Sequence, residues 1–190
     1  DEPLIFVEVA LTNGLAGDMA TLLDEAAPPL DPAEADAAIF YSISNAQQGL
    51  AGISFGNFLI KRVVDLLRAE FPGLKTFATL SPIPGLRRWL GEPPESEMAL
   101  PNTAARYLLE EKRRGRAADP VAHFHLSNGA RVERLAPAAD TSPAGIDRSL
   151  GMMVNYLYKL DEIDANHEAY VGSGTIAAAS QVRSLLKGKE

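Results

Sequence analysis

Two apolar runs, AAIFYSIS at 37–44 and KTFATLS at 75–81, flank the segment GNFLIKRVVDLLRAE at 56–70. The middle segment places Phe58, Leu59, Val63, Leu66 and Leu67 on one stripe at helical spacing, with Lys61, Arg62, Asp65 and Arg68 around it. That spacing predicts an amphipathic helix. The first run is mostly apolar without clean alternation, as for a strand covered on both faces. Strand, helix and strand in this order close most economically as a right-handed βαβ crossover, with two parallel strands. The fold class is therefore α/β.

The second run ends on Ser81, which is boxed in by Pro82, Pro84 and Gly85 in FATLSPIPGLRRW. Prolines cannot donate to a ladder, so the box fixes one hydroxyl at a strand terminus. It serves either as a strand stop or as a site. The loop NAQQGLAGISFGN at 45–57 leads from the first strand into the helix. A Gly-bearing turn there aims backbone N–H groups and the helix dipole at one spot, which suits a phosphate; an ordinary βα connection has the same spacing. Gly52-Ile53-Ser54-Phe55-Gly56 also matches the G-x-S-x-G nucleophile elbow. A true elbow turns directly after its strand, however, and here loop residues separate Ser44 from Ser54. Open α/β sheets bind ligands outside the carboxyl ends of their parallel strands. The 45–56 loop and Ser81 both lie at those ends and should face one crevice.

Elsewhere the reading is coarser. LIFVEVAL at 4–11 reads as a strand, 91–102 as a loop, and TAARYLLEEKRRG at 103–115 as a helix stopped by glycine. VAHFHLSNGARVERL at 121–135 reads as a hairpin with a type I′ turn at Asn128-Gly129. That places His123 and His125 on one strand face, where histidines are usually structural. Residues 136–147 form a Pro- and Ala-rich connector, and helices are expected near 149–160 and 173–187. His167 sits among Asp161, Glu162, Asp164 and Glu168 and reads as part of a solvated face. Basic residues in KRRGR at 112–116 suit a helix C-terminus, with anion binding as the alternative. No repeat or internal boundary is visible, so 1–190 is expected to be one domain.

Composition removes whole classes of chemistry. Without cysteine there are no disulfides, thiolate zinc sites or cysteine nucleophiles. No histidine or carboxylate spacing supports a metal site. A net charge of −7 argues against general nucleic-acid binding, and no apolar run approaches a membrane span. No targeting signal is visible, so a cytoplasmic location is expected. The chain opens on Asp1 directly before a strand, as a piece of a longer protein would.

IFYSISNAQQGLAGISFGNFLIKRVV, LSPIPGLRRWL, PVAHFHLSNGARV and GMMVNYLYKL, in that order, resemble the catalytic domain of malonyl-CoA decarboxylases. The likeness runs from Pro3 to about Leu185. It implies a GNAT-like mixed, partly parallel sheet flanked by helices, splayed to admit the pantetheine arm of coenzyme A. By the same resemblance Ala51, Gly52, Ile53, Ser54, Phe55, Gly56 and Asn57 form the acyl-CoA-binding loop. Ser81 and His125 match the catalytic pair, and Tyr158 matches a tyrosine lining the active site. The family's loop often carries an acidic residue where this chain has Ser54. The family's helical N-terminal domain and its longer insert after the LSPIPG motif have no counterpart here; in the full-length protein that domain would make a homo-oligomer. The implied activity is loss of CO₂ from malonyl-CoA to give acetyl-CoA, without metal or cofactor. A hydroxyl and a histidine in a backbone-lined pocket suffice, because the thioester carbonyl absorbs the electrons. A GNAT-like acyltransferase or non-catalytic acyl-CoA-binding module, and a hydrolase using Ser54, are the competing readings.

Overall fold

The computed structural model describes residues 5–45, 56–92, 96 and 99–187. Strand β1 (Ile5–Thr12) runs antiparallel to β2 (Ala37–Asn45), with the short helix α1 (Met19–Leu22) between them. Helix α2 (Gly56–Glu70) then returns the chain to β3 (Thr76–Thr79), which pairs parallel with β2 from Ala37↔Thr76 to Phe40↔Thr79. The crossover read from the sequence is present. Its buried side is Ile60 and Val64, with Val63 and Leu67 partly covered. Leu66, expected on the buried stripe, is 58% exposed. The side chains of Phe58 and Leu59 lie outside the described residues.

The next strand is broken at Leu80. Beyond it, β4 (Ser81–Pro82) continues the same line, since both β3 and β4 pair antiparallel with β8 (Met153–Leu157), through Ala78↔Leu157, Ser81↔Val154 and Pro82↔Met153. On the other edge of β8 lies β7 (Arg131–Ala136). The sheet order is β1-β2-β3-β8-β4, with β7 branching from β8. The parallel pair ends where the Leu80 N–H donates to the Phe40 carbonyl. Past that point β2 follows β1, whereas Ser81 follows β8. The sheet therefore parts at the carboxyl ends of its parallel strands.

Helices α3 (Leu86–Leu90), α4 (Leu100–Leu109), α5 (Pro120–Ser127), α6 (Pro143–Ser149), α7 (Ile163–Ser173) and α8 (Ser180–Leu185) complete the chain with the hairpin β5–β6 (Lys112–Arg113, Arg116–Ala117). The larger core joins Phe40, Ile60, Val64 and Phe77 to Leu108, Leu126 and Tyr156. A smaller one holds Ile39, Ala78, Leu80 and Met153.

Several expectations need correction. The segment at 121–127 is not a strand but α5. Asp119 caps it by accepting from the Val121 and Ala122 N–H groups, and Pro120 occupies the first turn, where its missing N–H costs nothing. Asn128-Gly129 is the helix stop rather than a hairpin turn. Gly129 sits at φ +81°, and the Ala130 N–H reaches back to the His125 carbonyl. The hairpin turn falls instead at Arg114 and Gly115, both at positive φ, so KRRGR is a tight hairpin and α4 already ends at Leu109. Residues 149–160 hold strand β8, whose side chains are buried on both faces and so show no strand alternation. Leu100, Pro101 and Asn102 belong to α4, the connector at 136–147 contains the start of α6, α8 lies within the helix expected near 173–187, and α7 falls before it where no helix was expected. His167 is half-buried, and its Nδ1 lies 2.6 Å from the Ser127 carbonyl.

The Gly129 stop offers a test. A Cβ there would lie 2.2 Å from the Ile163 carbonyl oxygen, in addition to the strain of positive φ. Gly129→Ala should destabilise the protein by about 2–3 kcal/mol. Its urea midpoint should fall with an unchanged m value; a midpoint equal to the parent's would contradict this packing.

Candidate active site

Residues two apart on extended backbone share a face, so Thr79 and Ser81 point together, as do Tyr156 on β8 and Tyr158 just past its end. All four are buried, and α5 packs His125 among them. The Ser81 Oγ lies 3.2 Å from His125 Nε2 and donates to Thr79 Oγ1 at 2.8 Å. The other imidazole nitrogen, Nδ1, lies 2.8 Å from the Tyr158 hydroxyl. Below the ring, Tyr156 is stacked at 4.6 Å between centroids and 24° between planes. Thr79 is itself fixed, its Oγ1 accepting from the Tyr156 N–H and its carbonyl from the Asn155 side-chain amide. A continuous chain of contacts thus runs Thr79–Ser81–His125–Tyr158 at the point where the sheet parts.

Burial governs the electrostatics here. It pushes His125 down to about 3, and it raises Tyr158 above the ordinary phenol range. Tyr156 is raised by burial first and then by the Asp119 charge. The Tyr156 hydroxyl is buried without a hydrogen-bond partner among the described residues, so its ring contributes contact area rather than a bond to the imidazole.

The His125 shift has a consequence for stability. An unfolded histidine titrates near 6.5, whereas His125 in the fold stays neutral down to about pH 3. Between those values the unfolded chain binds a proton that the native chain does not. Stability from this group is therefore complete above pH 6.5 and falls as the pH drops through the window. In urea titrations, the parent should lose roughly 2 kcal/mol more than His125→Asn between pH 7 and pH 5. Parallel pH curves for the two would contradict a neutral, buried His125.

Three of the residues singled out from sequence, Ser81, His125 and Tyr158, meet in one cluster. His123 does not: on a helix it points away from His125, is exposed, and contacts the Tyr170 hydroxyl at 2.7 Å. Ala51, Gly52, Ile53, Ser54 and Phe55 lie outside the described residues. Gly56 and Asn57 open α2, and the Asn57 side chain lies outside the described residues. Among the described residues no group of histidines and carboxylates could hold a metal ion, and no helix is long and apolar enough to cross a membrane.

Two contributors escaped the sequence reading. Thr79 was visible only as a strand residue, though its position two before Ser81 places it on the same face. Asp119 carried a readable signal, an Asp-Pro pair before an apolar run, which marks a helix start. Its fully buried carboxylate caps α5 and also accepts from the Gly85 N–H at 3.0 Å.

The family model described as the malonyl-CoA decarboxylase C-terminal domain matches residues 1–101 and 95–190. The chain belongs to the malonyl-CoA decarboxylase family. It is 38% identical over 238 aligned residues to the mitochondrial malonyl-CoA decarboxylase of Mus musculus, covering 97% of this chain and 48% of that protein. The crystal structure of malonyl-CoA decarboxylase from Rhodopseudomonas palustris superposes with a TM-score of 0.90 at 47% identity, covering 97% of this chain and 50% of that one. The chain thus spans about half the length of these relatives. The loading GNATL domain of CurA from Lyngbya majuscula, at 15% identity, matches with a TM-score of 0.55 over 85% of this chain and 72% of its own. That likeness concerns the fold alone, and it identifies the partly parallel sheet as GNAT-like.

Proposed function

We propose that this domain decarboxylates malonyl-CoA to acetyl-CoA and CO₂, with Ser81 and His125 as the catalytic pair and no metal or cofactor. One observation carries the reading: in a chain of this family, Ser81 Oγ and His125 Nε2 lie 3.2 Å apart where the parallel strands separate. The 51–57 segment, which leads into α2, would hold the coenzyme A portion, with backbone N–H groups suited to the pyrophosphate. In the reaction the bond between the α-carbon and the carboxylate breaks and CO₂ departs. The electron pair passes to the α-carbon and is shared with the thioester oxygen as an enolate. One proton then closes the balance at carbon. Ser81 would hold the carboxylate and His125 would deliver the proton through Nε2. A bound carboxylate beside Nε2 raises the proton affinity that burial has lowered, so the charge on the substrate brings its own acid into play. Tyr158, on Nδ1, keeps the ring oriented while this happens.

An acyltransferase would need an amine acceptor and would leave the Ser81–His125 contact without a role. A hydrolase using Ser54 would need that serine on a histidine, yet both nitrogens of His125 are occupied by Ser81 and Tyr158. The test is to incubate the protein with malonyl-CoA and a chelator, without acyl acceptor. Equal amounts of acetyl-CoA and CO₂ are expected. Binding of malonyl-CoA without turnover, or consumption only on addition of an amine, would overturn the proposal.

A further inference from the structure

Ser81 and His125 come from segments far apart in sequence, and something must hold those segments in register. The Asp119 carboxylate touches both. Its Oδ1 accepts from the Val121 and Ala122 N–H groups at the start of α5, four and three residues before His125. Its Oδ2 accepts from the Gly85 N–H, at the end of the proline box that begins after Ser81. All three bonds are 3.0 Å long, and the side chain is fully buried. Gly85 is also packed closely against Tyr107, since a Cβ at that position would lie 2.0 Å from the Tyr107 hydroxyl and 3.3 Å from Asp119 Oδ2. Pro82 and Pro84 restrict the few residues between Gly85 and Ser81, so a fixed Gly85 carries through to the hydroxyl.

We infer that Asp119 is a positioning residue that locks the Ser81 and His125 segments together and so sets the distance between the reacting groups. This rests on the proposed pair, but the inference concerns a different side chain and a geometric role. The carboxylate oxygens bond backbone N–H groups and not the imidazole, whose proton affinity is lowered by burial. Its three N–H donors offset part of the cost of burying the charge, and burial still leaves the Asp119 pKa raised. An ordinary helix cap would make the first two bonds and not the third.

Asp119→Ser separates the two duties. A serine hydroxyl still caps α5 but is too short to reach Gly85. The variant should keep a cooperative melt, while the Gly85 amide loses its protection from hydrogen exchange. The imidazole ¹⁵N shifts of His125 should move, and with three histidines in the chain they can be assigned by substituting His123 and His167. With malonyl-CoA, kcat should fall on the order of 10²-fold at nearly constant KM, the loss expected for a displacement of about 1 Å. The pH profile of kcat should keep the parent's midpoints. Should Asp119→Ser not fold, Asp119→Asn keeps the cap oxygen and the length, offers Gly85 one acceptor fewer, and should show the same pattern more weakly. A folded variant with the parent's kcat, unchanged His125 shifts, or a displaced pH midpoint would each overturn the inference. The exchange and ¹⁵N readouts need no turnover, so they decide the role of Asp119 even where malonyl-CoA proves not to be the substrate.

Discussion

Ser81→Ala should lose malonyl-CoA decarboxylation by about 10²–10³-fold, the usual loss on removing one hydroxyl or N–H donor aimed at developing charge. Affinity for acetyl-CoA should stay close to the parent's, because the product lacks the carboxylate that Ser81 would hold. The fold should tolerate the change. Only one oxygen is removed, from a segment already restricted by Pro82 and Pro84, and the cost is the contacts to Thr79 Oγ1 and His125 Nε2, about 1–2 kcal/mol. If the hydroxyl were merely a strand-end cap, the stability loss would remain and activity would not change. Ser54→Ala is the matched control, since the hydrolase reading places the nucleophile there. Full activity in Ser81→Ala together with loss in Ser54→Ala would reverse the assignment.

His125→Asn should be as damaging or more so, by about 10²–10⁴-fold in kcat, the range for a group that transfers a proton in the rate-limiting step. Asparagine keeps roughly the size of the ring and a polar atom near Ser81, so binding of malonyl-CoA should persist and the effect should appear in kcat rather than KM. His123→Asn serves as the comparison. His123 is exposed on the other side of α5, and its partner is Tyr170, so its loss should leave turnover within a few-fold of the parent. A larger loss at His123 than at His125 would overturn the choice.

The βαβ unit was legible because its signals are local: an apolar run, an amphipathic stretch and a second run give one economical topology. Ser81 was legible for a related reason, since a serine caught between a strand and a proline box has few places to point. The region around His125 was misread because Asn-Gly stops a helix as readily as it turns a hairpin; both need a residue at positive φ, which Gly129 supplies. The Asp119-Pro120 cap upstream would have decided between them. Strand β8 was hidden by its own burial, since Met153–Leu157 is covered on both faces and loses the period-two signature. The contact between Ser81 and His125 lay beyond any local pattern. It depends on a pairing of β4 with β8 and on a helix packed across both, and for that the family resemblance was the available guide.

Under the proposed function, this site generates an enolate from malonyl-CoA and protonates it at carbon. Turnover in deuterium oxide, with the products resolved by mass, tests it most directly. Acetyl-CoA carrying one solvent deuterium in its methyl group is expected, formed together with CO₂ and strongly diminished in His125→Asn. Malonate and free coenzyme A as the products would mean that the thioester, not the carboxylate, is the bond this site breaks.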